Sequence, residues 1–260
     1  MIERSSRSHL PAIVLLFCIW TAGWGCAYAP PIAVQRDPAA EALAARLKAT
    51  NAGLTRFKCL GKMTLTVPGQ PVQAFRAAMA GALHDRLRID MFAPFGGSAG
   101  TFSSDGNHLF LVRHPSGEYY KKRYGSGSLR RLLQIDVSVG DLLELMVGRI
   151  PLSESGSAKL VSAGEDGGAR LLLVDEKGRT RQRISVDAHH GPLHAEWFDN
   201  GQRSTHALVL EGRQVVDGYD LPRRIELTGG EGERVTLVLE RYEANVPLDD
   251  RLFTPARPMS

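Results

Sequence analysis

Cysteine is scarce, with three in 260 residues. Cys18 and Cys26 fall close to the N-terminus, which leaves Cys59 alone in the rest of the chain. A lone thiol closes no intramolecular disulfide, so a cross-linked scaffold is excluded and the fold must be held by its core. The expected role of Cys59 is that of a small buried hydrophobe in a strand, not a nucleophile. Charge of one sign is also lacking: 32 basic residues face 28 acidic ones, for a net charge of +4 and a pI near 9.1. That is a mixed, mildly basic surface and not one that binds nucleic acid. No H-E-x-x-H or phosphate-loop pattern occurs. Gly96-Gly97, Gly167-Gly168 and Gly229-Gly230 follow strand-like segments and open no helix, so they do not read as phosphate cradles. There is no internal repeat and no alternation of strands with long helices, which excludes a parallel α/β sheet.

What is present begins with one apolar run. Leu10–Ala22 is apolar apart from Thr21 and follows Arg4 and Arg7. It is shorter than the ~20 residues of a membrane span and suits the apolar region of an export signal. Small residues then lead to Gly25-Cys26, a pattern that resembles the bacterial lipobox, in which the cysteine is lipidated and becomes the first mature residue. Cleavage after Ala27-Tyr28-Ala29 and an uncleaved anchor over Leu10–Ala29 are the alternatives. The domain reading is therefore residues 1–25 as a lipoprotein-type signal, 26–36 as a tether stiffened by Pro30-Pro31, and 37–260 as one domain.

The domain opens with helix signals. Asp37 is a natural N-cap, Pro38 occupies the first helical position, and Leu43 and Leu47 give a narrow apolar face. From Arg56 the period becomes two: Phe57, Cys59, Gly61, Met63, Leu65 and Val67 alternate with more polar neighbours. Leu87, Ile89 and Met91 alternate in the same way with Arg86, Arg88 and Asp90. Short turns predict an antiparallel meander as far as Tyr124. The stretch 128–147 has helical spacing instead, with Ser138 and Asp141 placed as a capping pair. Strands resume near Ala158 and continue to Tyr242, with Thr205–Glu211 and Arg224–Thr228 among them. The fold class expected is mainly β (α+β): about eleven to twelve antiparallel strands in one long sheet, with short helices able to cover its concave side. A sheet that long must curl.

Candidate chemistry is sparse. His189, His190 and His194 form the one histidine cluster, but adjacent residues on a strand face opposite ways and no carboxylate or cysteine sits at ligand spacing; a polar hairpin tip is expected, with no metal and no cofactor. Asp249-Asp250 reads as a solvated pair. Lys121-Lys122-Arg123, with Arg130-Arg131 nearby, suits either anionic headgroups or a charged edge strand. The segment Phe92-Ala93-Pro94-Phe95-Gly96-Gly97 puts two aromatics in a turn between strands, where they either fold back or meet an apolar partner.

Five segments together resemble the LolA/LolB-like family of outer-membrane lipoprotein-handling proteins, and LolB in particular. They are the signal ending at Cys26, the stretch from Leu87 to Gly96, the helix and turn from Val139 to Pro151, the strand Leu221-Pro222-Arg223-Arg224-Ile225, and the closing run from Asn245 to Pro255. The resemblance covers roughly 38–256. It implies an open, strongly curved antiparallel half-barrel with a lid of short helices over an apolar cavity, for which Met63, Leu65, Leu87, Ile89, Met91, Leu109, Leu111, Trp197, Ile225, Leu227, Leu237 and Leu239 are the candidate lining. It implies a cargo-insertion loop at Phe92, Pro94, Phe95 and Gly96, with Phe95 as the inserting side chain, and lipidation of Cys26. The implied partners are the acyl chains of lipoproteins, a periplasmic LolA-like carrier, and the outer membrane, on whose periplasmic face the N-terminal lipid would hold the chain. The expected function is reception and insertion of lipoproteins, not catalysis. The competing expectation is an assembly scaffold of the same fold whose interior is filled by its own side chains.

Overall fold

A computed structural model describes residues 37–257 except 95, 115, 125–128, 163–167 and 190, and leaves the side chains of 131, 132 and 162 aside. The signal, the tether and Cys26 lie outside the described residues. Contacts divide the chain into Met1–Gln35 and Arg36–Ser260, and all described residues belong to the second unit.

The frame of this unit is one 13-stranded sheet: β1 Arg56–Thr66, β2 Gln73–Ala82, β3 Arg86–Phe92, β4 Ser98–Asp105, β5 His108–Arg113, β6 Glu118–Arg123, β7 Ser157–Ser162, β8 Ala169–Val174, β9 Thr180–Val186, β10 Pro192–Phe198, β11 Ser204–Val216, β12 Tyr219–Gly229 and β13 Arg234–Ala244. The count is thirteen where eleven to twelve were expected. The order is β6-β5-β4-β3-β2-β1-β13-β12-β11-β10-β9-β8-β7. The chain lays down β1 to β6 outward in one direction, crosses to the far edge, and returns strand by strand until β13 pairs with β1. All pairings are antiparallel and β6 does not pair with β7, so the sheet curls without closing.

Among the described residues, three short helices occupy the crossing and the concave face. In α1, Pro38–Ala49, Asp37 caps the first turn by accepting from Ala40 N–H at 3.0 Å, and Ala40, Leu43 and Leu47 are buried. The other Asp37 oxygen accepts from Leu160 N–H at 2.8 Å, so the cap also ties α1 to edge strand β7. These two donors hold the Asp37 carboxyl below its ordinary range. The helix α2, Arg130–Leu133, is one turn long and has no side-chain cap. The helix α3, Val139–Met146, carries the capping box expected of Ser138 and Asp141. Leu129, Leu133, Ile135, Leu142, Leu143, Leu145 and Met146 from this stretch are buried in one apolar cluster with the concave residues of the strands.

The close seating of α3 depends on Gly81: a Cβ there would lie 2.5 Å from the Phe57 ring and 2.6 Å from Leu143. The C-terminal end of α3 is fixed by Asn51, in the left-handed region at φ 49°, which donates to Val147 C=O at 2.9 Å and Asp220 C=O at 2.8 Å. The convex face is mostly charged, with Glu226 between Arg224 and Arg234. It is crossed by the 3-10 turn Asp250–Phe253, which packs on β3 and β4 and buries Phe253. No helix of the described residues is long and apolar enough to cross a membrane.

Candidate functional site

The registers decide which residues share the concave end of the sheet. Leu65 lies opposite Gln73 on one side and Val235 on the other. Met63 pairs with Phe75, Met91 with Gly100, and Gly100 with Arg113. Successive same-face residues of β1, β2, β3, β4, β5 and β13 thus converge at one end, and Leu133 of α2 lies over them. They enclose an open cleft of about 300 Å³, apolar through Met63, Leu65, Phe75, Met91, Leu111 and Val235 and rimmed by Gln73, Arg113 and Ser116.

Four of the twelve residues named from sequence, Met63, Leu65, Met91 and Leu111, come together in this cleft. Leu87, Ile89, Ile225, Leu227, Leu237 and Leu239 share the concave face, but they are buried in the cluster that holds α2 and α3. Leu109 and Trp197 flank that cluster half-buried, and Trp197 stacks on His206 with ring centroids 4.5 Å apart. Burial lowers the His206 pKa, against a raising influence of Asp141 and Asp136. Sequence reasoning missed Phe75, Leu133 and Val235 as lining. Phe75 was recoverable from the alternation of β2; Leu133 was not, because its place depends on where the crossing segment lands.

The loop after β3 projects from the same end. Phe92 pairs with Ser98 and is 37% exposed. The turn is closed by Ala93 N–H to Gly97 C=O at 3.1 Å and Gly96 N–H to Ala93 C=O at 3.0 Å. Gly96 and Gly97 adopt φ of 89° and 88°, which favours glycine at both. Pro94 is exposed, and Phe95 lies outside the described residues. In the adjacent β1–β2 turn Val72 is 61% exposed. An apolar cleft and two apolar turns therefore share one end of the molecule.

A larger groove of about 760 Å³ lies between α1, α3 and the segment 149–158, and no motif or spacing in the chain foretold it. Its walls mix charged residues, Glu41, Lys48, Asp141, Glu144, Arg149 and Glu154, with apolar ones such as Ile150, Leu152 and Leu173, and Arg149 pairs with Glu144. Cys59 is buried on the concave face, and burial pushes its thiol well up, so it is inert as a nucleophile. Lys121 lies over the Phe110 ring at 5.5 Å on edge strand β6, and Asp249 caps the C-terminal 3-10 turn. His194 faces away from Ala195 and Trp197 on β10, and His190 lies outside the described residues. Among the described residues no three His, Cys, Asp or Glu side chains converge as a metal would require.

No family model and no curated protein sequence matches the chain. Solved structures do. A DUF1329 family protein from Desulfovibrio piger superposes with a TM-score of 0.60 at 16% identity, over 83% of this chain and 95% of that one. A protein domain from Vibrio parahaemolyticus named for outer membrane lipoprotein sorting gives a TM-score of 0.57 at 16% identity, over 83% and 97%. A LolA superfamily protein from Nitrosomonas europaea gives 0.53 at 14% identity, again over 83% and 97%. At these identities the likeness is one of fold: the chain has a LolA-like open half-barrel.

Proposed function

We propose that this protein binds acyl chains in the cleft at the loop end of its half-barrel, and that it receives and inserts lipidated cargo at a membrane. The observation that carries the reading is the shared position of the apolar cleft and the Phe92–Gly97 loop. Cargo leaving the cleft at this end would meet the loop first. Roughly ten methylene-sized groups, at about 30 Å³ each, fill the cleft volume. At ~0.8 kcal/mol per buried CH₂ that shields about 8 kcal/mol of apolar surface from water. The neighbouring folds include a domain named for lipoprotein sorting, which favours lipoproteins as cargo. The finer reading is a LolB-like receptor lipidated at Cys26, held on the periplasmic face of the outer membrane and supplied by a LolA-like carrier. It is a binding role, with no catalysis.

A lipid-transfer assay with Phe95→Glu tests the loop. Transfer is abolished with the fold retained if the loop inserts cargo, and unchanged transfer contradicts it. Mass spectrometry of the mature N-terminus tests the anchor, for which a diacyl or triacyl adduct on Cys26 is expected. A second reading, a scaffold for a protein partner, draws on the centre of the concave face, which Leu142, Leu143 and Met146 fill completely.

A further inference from the structure

We infer that the cleft takes a single acyl chain bearing an anionic headgroup, and that Arg113 sets the headgroup preference. The inference rests on the acyl-binding reading and adds a ligand class to it, because a lipoprotein carries two or three acyl chains and no anionic headgroup. Size limits the number of chains. About 300 Å³ holds roughly ten methylene-sized groups, a large part of one chain, whereas two or three chains side by side need a multiple of that volume. The surroundings do not supply it, because the apolar cluster deeper in the concave face is closed by Leu129, Leu142, Leu143 and Met146, each at most 1% exposed. The cleft ends where the helices begin.

Charge selects the headgroup. Of the described residues lining the cleft only Arg113 is charged; Gln73 and Ser116 are the other polar groups at the rim, and none of these lining residues is acidic. Arg113 pairs across the β5–β6 hairpin with Glu118 at 3.0 Å, and the two side chains are 61% and 42% exposed. An ion pair so exposed contributes little and exchanges partners readily. A carboxylate or phosphate at the mouth offers the guanidinium a fork-shaped acceptor while the attached chain lies against Met63, Leu65 and Met91. Free fatty acid and lysophospholipid share this chemistry.

The test uses the full chain stripped of lipid and loaded with 11-(dansylamino)undecanoate, a fluorescent single-chain anion. One probe per chain is expected. Palmitate and lysophosphatidylglycerol should displace it about tenfold more effectively than dipalmitoylphosphatidylglycerol. Arg113→Gln should weaken both single-chain anions about tenfold and leave displacement by uncharged hexadecanol unchanged. Stronger displacement by the carboxylate assigns a fatty acid, and the reverse assigns a lysophospholipid. Two-chain lipid displacing as well as one-chain lipid overturns the single-chain inference and leaves the acyl-binding reading standing. Anion affinity unaltered in Arg113→Gln overturns the headgroup role. Failure of the probe and of every acyl compound to bind removes the acyl-binding reading itself.

Discussion

Asn51 joins three parts of the molecule that are far apart in sequence. Its amide donates to Val147 and Asp220, its side-chain oxygen accepts from Asp220 N–H at 3.3 Å, and its own carbonyl accepts from Arg149. Asn51→Ala leaves two buried carbonyls short of a donor and should cost about 1–3 kcal/mol in urea unfolding. His206 makes a second residue-scale prediction. Burial against Trp197 lowers its folded pKa below the ordinary 6.5, so the unfolded chain binds the proton first as pH falls. Its contribution to stability is complete above about pH 6.5 and is lost as pH falls below that value towards the lower folded pKa. The Asp37 carboxyl, also lowered, acts in the more acidic range below 3.8. Unfolding free energy measured at successive pH values should fall below 6.5 in the wild type, and His206→Phe should flatten that part of the curve. The caps at Asp37 and Ser138 were legible in the sequence because cap and helix are neighbours. The part played by Asn51 was not, because its partners lie 96 and 169 residues away.

Among the elements, the strands with strict alternation were the ones read correctly. Leu87, Ile89 and Met91 are buried as expected, with Arg86, Arg88 and Asp90 on the opposite face. β11 and β12 were read too short, as Thr205–Glu211 and Arg224–Thr228. Gly212 and Pro222 look like strand breakers, yet the ladder continues through Arg213 and Pro222 to a tight turn at Asp217-Gly218, with φ of 50° and 84°. That pair suits a two-residue hairpin turn, a signal outweighed by the glycine and proline beside it. The helices were found from their spacing, but not how closely α3 presses on β2. Gly81→Ala, which forces a methyl between Phe57 and Leu143, should destabilise by about 1–3 kcal/mol, measured by chemical denaturation.

For the molecule as a whole, a curling antiparallel sheet with covering helices was legible in turns and periods and the half-barrel in the family resemblance, whereas the extent of the hollow was not. Twelve alternating apolar residues look alike in sequence whether they line a cavity or pack under a helix. The difference is made by where the crossing segment 129–147 lies, and it covers the centre of the concave face while leaving one end open. Narrowing that end should abolish acyl binding without unfolding the protein. Leu65→Trp, at a half-buried position on the cleft wall, should reduce binding of a fluorescent fatty acid at least tenfold while the thermal midpoint stays within a few degrees.

The most direct measurement is photo-crosslinking of the full chain with a diazirine-bearing palmitate, followed by peptide mapping. Adducts are expected on the segments carrying Met63, Leu65, Met91 and Leu111. Adducts confined to the larger groove between α1 and α3, or an absence of labelling above that of an unrelated protein, would contradict acyl binding in the cleft.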